Sequence, residues 1–261
     1  MRAGTADAQW GLAMDDSVVR ASRAGILRRL ASIEQAPLFR GASSEDKKEL
    51  AARARDWHAV RKETFIREGE PADASFLLCT GRVKLTQLSA EGEEFIVRLV
   101  GPGEHFGGLG LPPGSPHTET AGALEASDAL VWDRRTLDSL IERSPSVQLS
   151  AMRIVAQRLR SAEERCREIA TEKVPQRLSR TLCRLVGQVG RPSEGGVLVA
   201  LTREELAQMT GTTLFTVSRL FSQWEEQGVI RPRREGVLID DAAGLVRIAE
   251  EPGQARSARC L

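Results

Sequence analysis

Cysteine is scarce in this sequence. Its four copies, Cys79, Cys166, Cys183 and Cys260, are scattered, with no C-x-x-C pair and no cysteine–histidine cluster. That spacing excludes a disulfide framework and a zinc site, and it fits a reducing cytoplasm. Long apolar runs are also missing. No window approaches the ~18 uninterrupted apolar residues of a membrane span. The opening stretch, MRAGTADAQWGLAMDD, has no apolar core and carries acids early, unlike a secretory signal. The expected location is the cytoplasm, with no membrane partner. A large net charge is absent as well: the balance is +1, so any nucleic-acid surface must come from local placement of Arg and Lys. Finally, there is no clustered nucleophile, no paired acid and base and no metal-ligand spacing. Neither an enzyme nor a metal site is expected.

What is present is an ordinary folded composition, with 41% hydrophobic and 28% charged residues in 261, enough for about two domains. Residues 1–25 are small and polar and read as loosely ordered. A helical stretch covers Ile26–Leu30, and Ser44 can cap another through Leu50. From about 57 to 133 the pattern changes to short apolar runs, Thr64–Arg67, Ser75–Leu78, Arg82–Leu88, Glu94–Val100 and Leu130–Trp132, separated by glycines. Such punctuation predicts an antiparallel sandwich or barrel-like roll. EGEE at 91–94 reads as a hairpin tip.

A long helix begins near Pro145. Met152, Val155, Leu159, Ala162 and Cys166, continued by Ile169, follow steps of 3 and 4 with charged flanks. A narrow heptad seam of this kind predicts a helix pair and hence a homodimer. Val174–Val189 reads as another helix, with Leu178, Leu182, Leu185 and Val186 inward and Arg177, Arg180 and Arg184 outward. RPSEGG (191–196) reads as a loop and Val197–Leu201 as a strand.

The stretch LTREELAQMTGTTLFTVSRLFSQWEEQGVI (201–230) carries the function. Thr202 and Glu205 have capping-box spacing, Gly211 suits a left-handed turn, and Thr212 or Thr213 caps a second helix. Val217, Leu220, Phe221 and Trp224 then share one face. Phe215, Arg219 and Ser222 point the other way, with Leu214 on the edge between. VIRPRREGVLI (229–239) reads as a basic hairpin turning at Glu235-Gly236. Two short helices, a glycine turn and a basic wing predict a winged helix-turn-helix, which presents its second helix to the major groove of DNA. Arg219 can be bidentate to guanine. Ser218 or Ser222 can reach a base edge or phosphate, and Phe215 a thymine methyl. Thr202 and Arg203 sit at a helix N-terminus suited to a backbone phosphate, and Thr213 and Leu214 join the DNA-binding set at the start of the second helix. Arg231, Arg233 and Arg234 can add phosphate contacts from the wing.

These residues, together with FIREGEPADASFLLCTGRVKLTQLSAEGEEFIVRLVGPGEHFGGLGL (65–111), resemble the cyclic-AMP-receptor/fumarate-nitrate-reductase (Crp/Fnr) family of transcription regulators over about residues 35–240. The resemblance implies an α+β chain: an extension (1–34), a cyclic-nucleotide-binding-like β-roll sensor (35–143), a dimerisation helix (144–171), a winged helix domain (172–250) and a tail (251–261). It implies double-stranded DNA with a palindromic operator, a second copy of the chain and RNA polymerase as partners. It places the effector pocket at Gly107, Gly108 and Leu109 with Thr118 and Thr120.

Departures from the family pattern narrow the effector. Cyclic-AMP members have a Glu where this chain has Gly108. LPPGSPHTETAG (111–122), where their phosphate-binding Arg falls, has no Arg or Lys. A buried cyclic phosphate there would lack its countercharge, so ordinary cyclic AMP is not expected. Residues 1–56 contain no cysteine, which disfavours the family's iron–sulfur cluster. The haem-binding Cys and His of the carbon-monoxide sensor match Gly107 and Leu109. In the recognition helix, TLFTVSR is similar to the branch linked to nitrogen-oxide respiration, which implies haem and nitric oxide by analogy alone. His105 and His117 are the candidate haem ligands near the roll's pocket. Trp57 and Trp132 read as packing residues, and Cys166 as a small apolar filler on the seam. A second functional reading is a cyclic-nucleotide-binding-like regulatory module acting on a protein partner; the Ser-Arg helix and arginine-rich wing have no place in it.

Overall fold

The computed structural model describes residues 23–112 and 114–250. The extension before residue 23, the tail after residue 250 and Cys260 lie outside the described residues. Helix α1 (Arg23–Gln35), a 3-10 turn at Pro37–Phe39 and helix α2 (Ser44–Arg53) come first. The cap of α2 is Ser43 rather than Ser44: its Oγ accepts from Asp46 N at 3.0 Å.

The roll is two antiparallel sheets. Strands β1 (Arg55–Ala59), β2 (Thr64–Ile66), β3 (Ala74–Thr80), β4 (Val83–Leu88), β5 (Glu94–Val100), β6 (His105–Phe106), β7 (Thr120–Ala123) and β8 (Ser127–Asp133) are ordered β1-β8-β3-β6 in one sheet and β2-β7-β4-β5 in the other. Alternation along β3 explains why it is apolar on both faces. Phe76 and Leu78 enter the core between the sheets, while Leu77 joins the helices outside. Between the sheets Phe65, Phe76 and Phe106 interlock with ring centroids 5.1–5.9 Å apart. Outside, Trp132 packs with Phe39 and donates from Nε1 to Leu50 O at 2.9 Å.

Helix α3 (Arg134–Arg143) closes the roll, started by the Asp133 carboxylate, which accepts from Arg135 N at 2.8 Å. Helix α4 (Pro145–Thr171) has 27 residues, hence ~40 Å of length. The reader follows: α5 (Val174–Val189), β9 (Arg191–Ser193), β10 (Gly196–Val199), α6 (Arg203–Thr210), α7 (Leu214–Glu226), β11 (Ile230–Arg233), β12 (Gly236–Ile239) and α8 (Ala242–Glu250). Its sheet runs β11-β12-β10-β9. The expected loop at 191–196 therefore contains a strand. The wing turns at Arg234-Glu235, one residue earlier than its glycine suggested.

One inward-outward assignment is corrected. Arg177, expected outside, is 9% exposed. Its guanidinium donates to Thr210 O at 3.0 Å and Glu172 O at 2.9 Å, tying the helix-turn-helix corner to the start of α5. Three carbonyls converge there, with Gly211 O the third, and only a long multi-donor cation can reach them all.

The reader is docked on the roll. Helix α6 lies over β5, and Leu99 and Leu124 of the roll pack against the reader's core. Two ion pairs flank the contact, Arg61–Glu235 at 2.9 Å and Arg191–Glu125 at 2.6 Å.

Candidate nucleic-acid interface

The reading helix is built from its caps inward. Thr202 Oγ1 accepts from Glu205 N at 3.2 Å while Glu205 Oε2 accepts from Thr202 N at 2.7 Å, the reciprocal bonds its spacing predicted. Gly211 ends α6 at φ 59°, where a side chain would be strained. Thr213, not Thr212, caps α7, its Oγ1 accepting from Thr216 N at 3.2 Å. Four large side chains, Val217, Leu220, Phe221 and Trp224, are then buried in the reader core. Burying them on one face fixes the rotation of α7 and leaves the opposite face to solvent.

On that face Phe215 is 85% exposed. Leu214, Arg219 and Ser222 are exposed beside it, and Ser218 is half-buried. Arg219 has no hydrogen bond or ion pair among the described residues, so all five guanidinium donors are available. Ser222 Oγ donates back to Ser218 O at 3.2 Å, a local bond that rotation of the hydroxyl can exchange for an outside acceptor. Arg203 is exposed and lies over the Phe221 ring, 6.0 Å from its centroid. Arg233 stands exposed on the wing. Arg231 is exposed too but paired: its Nε and Nη2 each lie 2.7 Å from an Asp240 carboxylate oxygen, which removes it from the expected phosphate contacts. That pairing holds Asp240 below the usual carboxylate range.

Thr202 sits differently from the rest. It lines a cleft of about 550 Å³ between α6 and the roll, together with Glu204, Gln208, Lys84, Glu94 and Thr120. In this arrangement the N-terminus of α6 faces the sensor.

The sequence-predicted effector residues are only partly gathered. Gly107 has φ 82°, where a side chain is strained, and a Cβ there would stand 2.9 Å from Ile66 Cδ1 and displace it. Its carbonyl accepts from Ser75 Oγ at 3.1 Å. Thr120 Oγ1 accepts from Glu68 N at 3.0 Å, and Thr118 O from Gln87 Nε2 at 2.8 Å. Thr120 lines the cleft under α6; Gly107, Gly108, Leu109 and Thr118 line neither that cleft nor the one described further below. The glycine turn does reach the long helix: a Cβ on Gly110 would lie 3.8 Å from Val155 Cγ2, a seam residue. Sequence reading missed Arg134, which reaches the 111–122 loop from α3. Its donors are held by the Leu111 and Ala72 carbonyls and by Asp138 at 3.1 Å, so it is not free to meet a cyclic phosphate.

Both candidate haem histidines are buried rather than solvated. Ser75 Oγ donates to Gly107 O, so His105 Nε2–H donates to Ser75 Oγ, 2.6 Å away, and Nδ1 is left as an acceptor without a partner. Burial pushes the imidazole down to about 3, with the Arg158 and Arg98 charges adding to it. His105 does not fit an axial ligand: the ring is enclosed, and Nε2 is taken. Burial likewise lowers His117, which lines neither cleft.

The seam residues stand open. Met152, Val155, Leu159 and Ile169 are exposed apolar side chains on α4, and Ala162 and Cys166 are exposed with them. No helix of the described residues is long and apolar enough to cross a membrane, and no group of three or more potential metal ligands occurs among them.

Comparison with known proteins agrees with this layout. Residues 57–144 match the cyclic nucleotide-binding domain, and residues 176–248 match the Crp-like helix-turn-helix domain. The chain is 31% identical over 214 residues to the cyclic AMP receptor protein of Thermus thermophilus, covering 82% of this chain and 96% of that one. It is 29% identical over 219 residues to the CRP-like cAMP-activated global transcriptional regulator of Mycobacterium tuberculosis, covering 83% of this chain and 98% of that one. In fold it is similar to FixK2 from Bradyrhizobium japonicum, with a TM-score of 0.65 at 23% identity over 75% of this chain and 96% of that one.

Proposed function

The chain belongs to the Crp/Fnr family of transcriptional regulators, and from that premise we propose that it works as a homodimer reading a palindromic operator through α7. The observation that carries this reading is the outer face of α7. An aromatic ring and an unpaired guanidinium are left in solvent while the rest of the helix is anchored. Phe215 and Arg219 supply an apolar contact and a bidentate donor, the two chemistries that a major-groove edge accepts. Arg203, Thr213 and Arg233 supply phosphate contacts, with Thr202 joining them once α6 leaves the roll. Pairing two copies along the α4 seam sets the two α7 helices to half-sites one helical turn apart, ~34 Å. RNA polymerase is the partner through which such a dimer acts on transcription.

Control comes from the roll. Gly107–Gly110 joins the sensor to Val155, so a ligand that reshapes this turn shifts the seam and with it the readers. The cyclic AMP in the relatives' names does not carry over. The loop at 111–122 brings no cation, and the nearby Arg134 is committed. Haem does not carry over either, because His105 is enclosed. Protein purified without oxygen and then offered haem should show no bound Soret band; a band that shifts with nitric oxide would reverse that reading.

The test of the function is selection of DNA from a random library with the pure protein, repeated over salt. A single enriched palindrome and a steep salt slope are expected. No enriched sequence, together with retention of a protein partner, would favour the alternative of a regulatory module acting on protein.

A further inference from the structure

A second cleft, about 360 Å³ in volume, lies where roll, long helix and reader meet. The roll contributes Arg98 and Glu104, α4 contributes Arg158 and Arg165, and the reader contributes Arg184 and Met209. Four guanidiniums around one small space call for four countercharges, and the structure provides two close ones. Glu168, almost wholly buried, holds Arg184 through two oxygens, the longer bond at 3.0 Å. Glu104 stands 3.7 Å from Arg98.

Arg158 and Arg165 have no carboxylate within ion-pair distance among the described residues. Arg158 Nη2 donates to His105 O at 2.5 Å, and Arg165 donates to Val97 O. A carbonyl satisfies a donor but does not neutralise a charge. Both side chains are partly buried, and burial is the main cause that lowers them, Arg158 to about 10. They remain charged at neutral pH and partly desolvated, with Glu104, Glu119 and Glu168 acting on them only from beyond ion-pair distance, an arrangement that an anion between them would improve. The remaining acid at the rim, Glu164, is exposed and forms no ion pair among the described residues.

We propose that this cleft binds a phosphate-bearing small molecule, gripped by Arg158 and Arg165. Guanidinium forks match phosphate oxygens two at a time. Ile154, Leu99, Leu185 and Met209 line the same space and suit an apolar or ring portion of the ligand. The volume is that of a small-molecule site. At 100° per residue, Arg158 and Arg165 flank the seam at about 70–90° from its mean direction while Gln157, Ser161 and Glu164 lie farther round, so the cleft opens beside the helix pair rather than beneath it. A ligand there touches all three units and pins the reader to the roll. That last consequence rests on the DNA-reading assignment; the binding does not.

The test is calorimetry on the full chain without DNA, at fixed ionic strength, with inorganic pyrophosphate and with phenyl phosphate. One anion per chain is expected, and Arg158→Gln and Arg165→Gln should each weaken it tenfold or more. Glutamine keeps a donor for the same carbonyl. Tighter pyrophosphate indicates an inorganic polyanion, and tighter phenyl phosphate an organic ester; either supports the site. If a variant fails to fold, the wild-type melting midpoint decides: a rise in pyrophosphate beyond that in chloride of equal ionic strength supports the site, and no rise overturns it. Unchanged binding in both variants, or loss confined to Arg219→Ala, would also overturn it. Because DNA is absent, failure to find an operator leaves this result untouched.

Discussion

Two stripes of this chain keep large apolar side chains in the open, and they are built differently. Along α4, Met152 and Leu159 are 64% and 59% exposed, and the rest of the seam, Val155, Ala162, Cys166 and Ile169, is apolar or small. On α7, Phe215 and Leu214 share their face with Arg219 and Ser222. The first stripe offers only shape and hydrophobic area, which a like helix can match. The second mixes a ring with directional donors, which suits an edge that carries both methyl groups and acceptors. Exposure announces that something covers a surface, and composition says what kind of thing it is.

The comparison breaks most decisively at the seam. Changing Met152 and Leu159 together to Lys should convert dimers to monomers in analytical ultracentrifugation, with no loss of helicity, because neither side chain supports its own chain's core. A surviving dimer would show that the seam is not the contact. Next comes Arg219→Ala. It should leave the dimer intact and cost ~1–3 kcal/mol per half-site, hence roughly 2–6 kcal/mol per operator, measured by gel shift. Equal affinity would remove α7 from the groove.

Acid probes the interior while sparing both stripes. His105 is held at about 3 when folded and has an ordinary value of 6.5, so below pH 6.5 the unfolded chain binds the extra proton. Its contribution to stability is full above 6.5 and is lost as pH falls through that window toward 3. Each unit is worth about 1.4 kcal/mol, so the loss amounts to a few kcal/mol. Urea midpoints at pH 4, 5 and 7 should show it, and His105→Asn should flatten the difference. The smallest effect belongs to Arg233→Ala, which should weaken binding evenly across sequences and lower the salt slope by about 1 per reader.

Much of this was legible from spacing. The Thr202–Glu205 box, the Gly211 turn and the inward face of α7 obey local rules, and local rules are written in adjacent residues. The exposed apolar stripe of α4 was visible for the same reason. Strands β1, β6 and β7 were missed because they are short and their pairing partners lie tens of residues away in the chain, and β9 because its three residues are all exposed and carry no apolar pattern. Arg177 was misplaced because its reward for burial is three carbonyls, two of them more than thirty positions away. The burial of His105 depended on Ser75, thirty residues upstream. The Arg158 and Arg165 cleft exists only where three separately encoded parts meet, so no stretch of sequence could announce it.

The Arg61–Glu235 and Arg191–Glu125 pairs have an effect on any salt titration. They are surface pairs, at least half in water on one side, and dissolved ions weaken them. Added salt therefore pulls in two directions, stripping the reader from phosphate while loosening its latch to the roll. A log–log plot of affinity against salt should bend at low concentration and straighten only once the latch has opened.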